Sequence, residues 1–485
     1  MNYNASVSAA AVKNHLLVLI LFISFLIFSA SCTRRTAAPE ITFPLKDYVM
    51  AGDDAFSYKI TDSVAGENWK AWSVKMVSGT WLTEKDVDSV TWWHWINIII
   101  PDHLSESESM MFIGGGSSRD TVAPMPDEWL IQGAVATGSI ISHISNIPFQ
   151  PLDFTDDDKG GRYEDDLIAY GWRKYIESGA SEDKMEWLAR FPMTRAVVRA
   201  MDVVQEISRQ KGAPVDSFFV AGASKRGWTT WTTAAVDNRV MAIAPIVIDL
   251  LNLIPSFKHH WQCYGEWSPA VEEYVIEGIM DRMDESEFKN LLEKVEPYSF
   301  AGELTIPKYI VNATSDEFFV TDSWKFYWDD LMGESYLHYV PNGNHSLRNA
   351  YQPISLISFY QRIITGTAIP SFDWTVSNDT IYVEVDPENE YILNKWEAVN
   401  KNGRDFRKYV VGDAWYKEEI NREEDGKYSI YIEKPAAGYK AALVEVIFNP
   451  GSVFPLTFTS GTVVTPDTYP FPPFQTSALK KEREL

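Results

Sequence analysis

The chain has 485 residues, 45% of them hydrophobic and 14% aromatic, with 18 tryptophans, two cysteines and a formal charge of −24. That acidity excludes a protein built to neutralise a nucleic-acid backbone and leaves no polybasic patch for an anionic membrane. At roughly 150 residues per domain the length suits one large domain with a smaller companion, and the aromatic excess reads as a thick core rather than a cleft lined for sugars or peptides.

At the N-terminus, Lys13 precedes the apolar run Leu16 to Phe28 and the small residues Ser29, Ala30 and Ser31. This is the layout of a secretory signal over residues 1–31, whose 13-residue apolar run is too short for a membrane span of about 20 residues, so export is expected. Cys32 then stands where bacterial lipoproteins are cleaved and acylated, although Ser29 occupies a place where those sites usually carry a branched apolar residue. Cys32 is therefore the candidate lipidation site, and the exported protein is expected either membrane-anchored through it, in the periplasm or at the cell surface, or secreted. Cys263 is left without a partner, so no internal disulfide is expected and stability must come from the core.

From about residue 77 to 350, short β-branched apolar runs alternate with amphipathic helical stretches, the pattern of a mostly parallel sheet covered on both faces. Strands are expected at 95–100, 110–113, 140–144, 217–220, 241–246, 308–312 and 336–339, and helices at 163–178 and 192–211. Around 255–300 the alternation breaks into an aromatic and then charged helical stretch, read as a cap inserted over the sheet edge. After residue 369 only period-two alternation remains, as in Thr380-Ile-Tyr-Val-Glu-Val385, which predicts a β-sandwich over 369–472 and a loose tail over 473–485. The fold class expected is α/β: an α/β-hydrolase fold over 42–368 with an inserted helical cap, plus a C-terminal all-β sandwich.

The segment Ser217-Phe-Phe-Val-Ala-Gly-Ala-Ser-Lys-Arg-Gly-Trp228 reads as strand, sharp turn and helix start, which is what lifts a nucleophilic serine clear of a sheet. Ser224 is the candidate nucleophile. The pattern is Gly-x-Ser-x-x-Gly, with Arg226 where the common elbow has its second glycine; an ordinary structural turn is the alternative. Asp316 follows the 308–312 strand as candidate acid, with Glu317, Asp322 and Asp249 as competitors, and His345 follows the last strand as candidate base. The chain order Ser, Asp, His is that of the α/β hydrolases. The 92 residues between Ser224 and Asp316 exceed what one strand and helix need, in keeping with a cap.

For an oxyanion hole, the backbone N–H of Lys225 at a helix start and the glycines Gly114 to Gly116 after an early strand, Gly115 and Gly116 in particular, are the candidates; the Lys225 ammonium could also approach the developing charge. The glycines could equally be a flexible turn. Glu164 and Asp165, at a helix start, are read as capping acids or as a site for a substrate amine. His259, His260, Cys263 and Glu266 are read as cap packing rather than a metal site, and neither metal nor cofactor is expected.

Taken together, Trp95-Ile-Asn-Ile-Ile-Ile-Pro101, Ile147-Pro-Phe-Gln-Pro-Leu152, Glu164-Asp-Asp-Leu-Ile-Ala-Tyr170, Gly222-Ala-Ser-Lys-Arg-Gly-Trp228, Ala313-Thr-Ser-Asp-Glu-Phe-Phe319 and Pro341-Asn-Gly-Asn-His345 resemble the PhoPQ-activated pathogenicity-related family, which includes the autocrine proliferation repressors. The resemblance implies an α/β hydrolase with a C-terminal β-sandwich and with peptidase-like and esterase-like relatives. The elbow alone is also similar to that of glucuronoyl esterases. The function expected is an exported serine hydrolase acting on a peptide or ester substrate, peptidase chemistry preferred on family likeness. The alternatives are a carboxylic ester hydrolase and a non-catalytic secreted or surface binding protein on the same scaffold.

Overall fold

The computed structural model describes residues 44–476 except 349 and 352; the expected signal segment and Cys32 lie outside the described residues. Nine strands form one sheet: β1 Ser57–Gly66, β2 Trp69–Thr80, β3 Thr91–Pro101, β4 Glu108–Ile113, β5 Ile140–Ile144, β6 Ser217–Ala223, β7 Val240–Ile246, β8 Lys308–Ala313 and β9 Ser335–Val340. Their order is β1-β2-β3-β5-β4-β6-β7-β8-β9. From β5 through β4 to β9 every neighbouring pair is parallel, whereas β1, β2, β3 and β5 pair antiparallel. The β1–β2 hairpin begins before the alternation seen in the sequence. β1 is an edge strand exposed along most of its length, so it lacks the continuous apolar run that marks the central strands.

Among the described residues nine helices accompany this sheet: α1 Pro44–Met50, α2 Glu128–Thr137, α3 Glu164–Glu177, α4 Arg190–Gln210, α5 Lys225–Val236, α6 Leu253–Tyr264, α7 Glu272–Ile276, α8 Ser286–Val295 and α9 Ile354–Thr365. Successive side chains of a strand point to opposite faces. On β6, Phe219 and Ala221 join Leu130 of α2 and Leu356 and Phe359 of α9 in one apolar core, while Phe218 and Val220 are equally buried on the other face. The long α4 buries sixteen of its 21 residues, more than the single stripe of a surface helix. Truncating a core aromatic such as Phe359 to alanine would cost about 3–5 kcal/mol.

The sheet's carboxyl edge leads into residues 253–303, which are helical or 3-10 throughout their ordered turns. Beyond residue 371 come only strands and one short helix, α10 Lys408–Val411: β10 Phe372–Ser377, β11 Thr380–Val385, β12 Tyr391–Asn400, β13 Tyr416–Ile420, β14 Lys427–Tyr431, β15 Tyr439–Phe448, β16 Leu456–Thr459 and β17 Val463–Thr465. β10, β11 and β14 form one antiparallel sheet; β13, β12, β15 and β16 form another, with β17 also paired to β15. Ile381, Val383 and Val385 of β11 share a core with Ala442, Val444, Val446 and Phe448 of β15. Phe458 of β16 stacks on Tyr336 of β9 at 4.8 Å and 24°, tying this region to the main sheet.

The tail differs from expectation as far as residue 476. Phe474 lies against Trp261 and Trp267, with centroids 4.8 and 4.9 Å away, and the Thr476 hydroxyl donates to Asp284 at 2.7 Å. Three aromatic rings bury enough area to order a proline-rich segment that has no secondary structure of its own.

Candidate active site

β6 ends at Ala223, and Ser224 takes φ 58°, ψ −125° before α5 begins, a strained turn for a residue with a Cβ. Its N–H donates to Ile246 O at 2.7 Å and its carbonyl accepts from Trp228 N–H at 3.0 Å, so both neighbouring elements hold the turn. The tight reversal explains the glycines on either side. A Cβ on Gly222 would stand 2.8 Å from Arg226 O, and one on Gly227 would stand 3.0 Å from Gly222 O. Gly227 thus supplies the close helix-to-strand approach, and position 226 is free to carry a long side chain.

Asp316 and His345 meet Ser224 at this edge. His345 Nε2 lies 2.8 Å from Ser224 Oγ, and Nδ1 lies 3.0 and 2.9 Å from the two Asp316 oxygens. A carboxylate can only accept, so Nδ1 carries the proton and Nε2 accepts from the serine hydroxyl. Asp316 is held in turn by the Phe318 N–H at 2.7 Å, and Phe318 lies over the imidazole with centroids 4.1 Å apart. Of the competing carboxylates, Glu317 accepts the His345 backbone N–H at 2.9 Å. Asp249 accepts from the hydroxyls of Tyr327, at 2.7 Å, and Tyr339, and burial pushes its carboxyl up to about 7. Asp322 is bonded to Arg404, Lys325 and His259.

The loop after β4 carries Gly114, Gly115 and Gly116. A Cβ at Gly114 would stand 2.1 Å from His143 Nε2 and one at Gly115 2.6 Å from Arg226 Nη2, while Gly116 has φ +147°. These glycines are required by crowding and conformation, not by flexibility. Gly115 O accepts from Asn146 N–H at 2.8 Å, and Gly116 O accepts from Gln150 Nε2 at 2.9 Å. Arg226 crosses from the elbow to this loop: its Nε donates to Ile147 O at 2.5 Å and its Nη1 to Glu164 at 2.7 Å.

Glu164 and Asp165 open α3 and are engaged within the protein. Lys225 Nζ sits 2.9 Å from Glu164 and 2.8 Å from Asp165, and the Tyr274 hydroxyl donates to Asp165 at 3.0 Å. Burial works against ionisation of Glu164, yet Arg226 and Lys225 bring its carboxyl down to about 2. The ammonium of Lys225 is therefore directed to these acids, so the expectation that it might also face an oxyanion is corrected: two carboxylates within 3 Å hold it elsewhere. Beside Ser224 opens a cavity walled by Trp172, Trp228, Leu250, Leu253 and Phe257 and reaching Arg190.

A family model described as PhoPQ-activated pathogenicity-related protein matches residues 45–407. The chain belongs to that family. Within it, autocrine proliferation repressor protein A of Dictyostelium discoideum is 36% identical over 457 residues, covering 88% of this chain and 91% of the relative. Among solved structures, an acetyl xylan esterase from Paenibacillus sp. R4 is 14% identical over 66% of this chain and 91% of its own, with a TM-score of 0.47. An acylaminoacyl peptidase from Pyrococcus horikoshii is 14% identical over 67% of this chain and 52% of its own, with a TM-score of 0.39. Identities this low bring no substrate to this member of the PhoPQ-activated family.

The structure thus brings Ser224, Asp316 and His345 into one hydrogen-bonded row, sets Lys225 at the first turn of α5, and joins Gly115 and Gly116 to Arg226, Gln150 and Glu164. Sequence reasoning missed Arg190 and Gln150. Arg190 sits among apolar residues at a helix start and belongs to no motif; the one available sign was a basic first turn without an acid. Gln150 lay in a quoted motif but in no assigned role. Among the described residues no group of three or more His, Cys, Asp or Glu could hold a metal.

Proposed function

We propose that this protein is an exported serine hydrolase that cleaves an amide or ester bond through an acyl-enzyme on Ser224. The observation that carries the reading is the continuous row Asp316, His345, Ser224, with 2.9 and 2.8 Å contacts on the two imidazole nitrogens and the serine on a strained turn at a sheet's carboxyl edge. In the reaction, His345 Nε2 takes the Ser224 proton as Oγ attacks the carbonyl, and Asp316 stabilises the imidazolium. The same proton then goes to the leaving amine or alcohol, and water repeats the sequence to release the acid. The N–H of Lys225, together with that of Gly115 or Gly116, is assigned to the oxyanion. Arg226 and Gln150 position the glycine loop for that purpose.

In this reading residues 42–368 are the hydrolase domain, 255–300 its cap and 369–472 a β-sandwich. Cys32 carries the lipid anchor, which metabolic labelling with a fatty-acid analogue, wild type against Cys32→Ser, tests directly. A second reading, a secreted signalling protein without catalysis, is favoured by the name of the Dictyostelium relative. One experiment separates the two. The purified protein is treated with a fluorophosphonate beside Ser224→Ala and His345→Ala. Labelling of wild type alone is the hydrolase result, and an unlabelled, folded wild type supports the signalling reading.

A further inference from the structure

One residue from the C-terminal all-β region touches both of the loops that carry the acid and the base. Lys408 opens α10, in the loop between β12 and β13, where its backbone N–H donates to Ser315 O at 2.9 Å, one peptide before Asp316. Its ammonium donates to Asn342 O at 2.9 Å, three residues before His345, and is paired with Asp413. Asn342 is bonded to the same loop in both directions. Its Nδ2 donates to Trp415 O at 2.8 Å, and Trp415 N–H donates to its Oδ1 at 3.0 Å. Phe406 and Trp415 are both buried, so aromatic side chains anchor this loop at each end of the contact.

The acid and base loops are also joined to each other. Ser315 N–H donates to Gly343 O at 2.9 Å, Asn342 N–H to the Thr314 hydroxyl at 3.0 Å and His345 N–H to Glu317 at 2.9 Å. A shift of one loop therefore carries the other with it, and the coupled pair needs a fixed ground against which it is set beside Ser224, whose own turn is held by β7 and α5. Lys408 and Trp415 supply such a ground from outside the main sheet. An ammonium serving only Asp413, whose side chain is 78% exposed, could stay in solvent with it; the Lys408 side chain is instead 28% exposed, and fixing it against a carbonyl of the base loop costs rotamer freedom. Asn342 has φ 57°, a left-handed conformation that glycine adopts without strain, so its amide can be removed while the turn is kept.

Building on the serine-hydrolase reading, we propose that Lys408 and the Asn342–Trp415 pair are positioning residues that set the Asp316–His345 pair against Ser224, which makes the C-terminal all-β region a working part of the active site. No proton passes through them. They act by geometry, because an imidazole displaced by even part of an ångström from its bonding position loses much of its effect on rate.

The test uses the full-length protein with Lys408→Met, Lys408→Arg and Asn342→Gly. The rate of fluorophosphonate labelling per folded molecule should fall about tenfold in Lys408→Met and in Asn342→Gly and recover most of the way in Lys408→Arg. Lys427→Met, which breaks an exposed pair with Glu384 in the same region, should leave the rate unchanged. In proton NMR the far-downfield signal of His345 Nδ1–H, identified by its absence from His345→Ala, should broaden or shift in the two slow variants. An unchanged rate in both, with only the unfolding midpoint lowered, would mean that these contacts merely hold the β-strands in place, and the proposal falls. Where Lys408→Met does not fold, Asn342→Gly decides alone. A wild type that shows the signal but takes no label removes the hydrolase reading, and the response of the signal to Asn342→Gly then decides the positioning role. A wild type with neither label nor signal overturns both.

Discussion

Among the described residues are two Asp–His pairs of nearly the same geometry with opposite surroundings. Asp316 and His345 meet at 2.9 Å and hand the ring's other nitrogen to a serine hydroxyl. Six residues after Asp316, Asp322 meets His259 at 2.8 Å, and the thiol of Cys263 stands 3.6 Å from that ring. By residue type the second cluster could be a Cys–His–Asp triad. Its surroundings differ, because Arg404 and Lys325 also bind Asp322. Burial opposes ionisation of that carboxyl, but these cations hold it well below the usual range. Burial also pushes the Cys263 thiol up to about 12 and lowers the His259 pKa. What separates the two clusters is the third partner and access to solvent, not the pair itself.

The largest effect should come from breaking the first pair. Asp316→Asn is expected to lower kcat by about 10⁴-fold by presenting the wrong imidazole tautomer, with little change in unfolding midpoint. Breaking the second should do the reverse. Asp322→Asn leaves Arg404 buried without its carboxylate and should cost about 3–5 kcal/mol in urea unfolding, while activity per folded molecule is retained.

A third carboxyl sharpens the contrast through pH. Asp249 has its pKa raised from 3.8 to about 7 by burial, so the folded chain keeps a proton that the unfolded chain releases above pH 4. Its contribution is complete below that pH and is lost as pH rises from 4 through 7, amounting to about 4 kcal/mol. Asp249→Asn, neutral throughout, should flatten the fall in stability between pH 4 and 7. The smallest effect belongs to Cys263→Ala, expected to cost about 1 kcal/mol, with native wild type resisting iodoacetamide until denaturant is added.

These two clusters also mark how far the sequence could be read. Ser224, Asp316 and His345 each follow a short strand with a buried apolar stretch, Phe218 to Ala221, Tyr309 to Val311 and Leu337 to Val340 interrupted only by His338, so their place at the sheet's carboxyl edge was legible in the sequence. The His259 cluster was assigned to packing, but Arg404, which binds its carboxylate, comes from a loop 82 residues beyond Asp322, and no local pattern announces such a partner. The β1–β2 hairpin escaped for a different reason: its outer strand is exposed along most of its length and has no continuous apolar run. Arg226 looked like a misfit in the elbow because its partners, Glu164 and Ile147, are 62 and 79 residues away.

The docking of the C-terminal segment has a kinetic consequence. Phe257 walls the cavity beside Ser224, and Trp261, one turn further along α6, is clasped by Phe474; Phe471 N–H donates to Gln262 O in the same helix at 3.2 Å. The last described residues therefore brace the helix that contributes Phe257 to the cavity wall. A protease nick between residues 465 and 474 would leave the Ser224–His345–Asp316 contacts in place while releasing Trp261 from Phe474, so that helix should lose protection against hydrogen exchange before the sheet does.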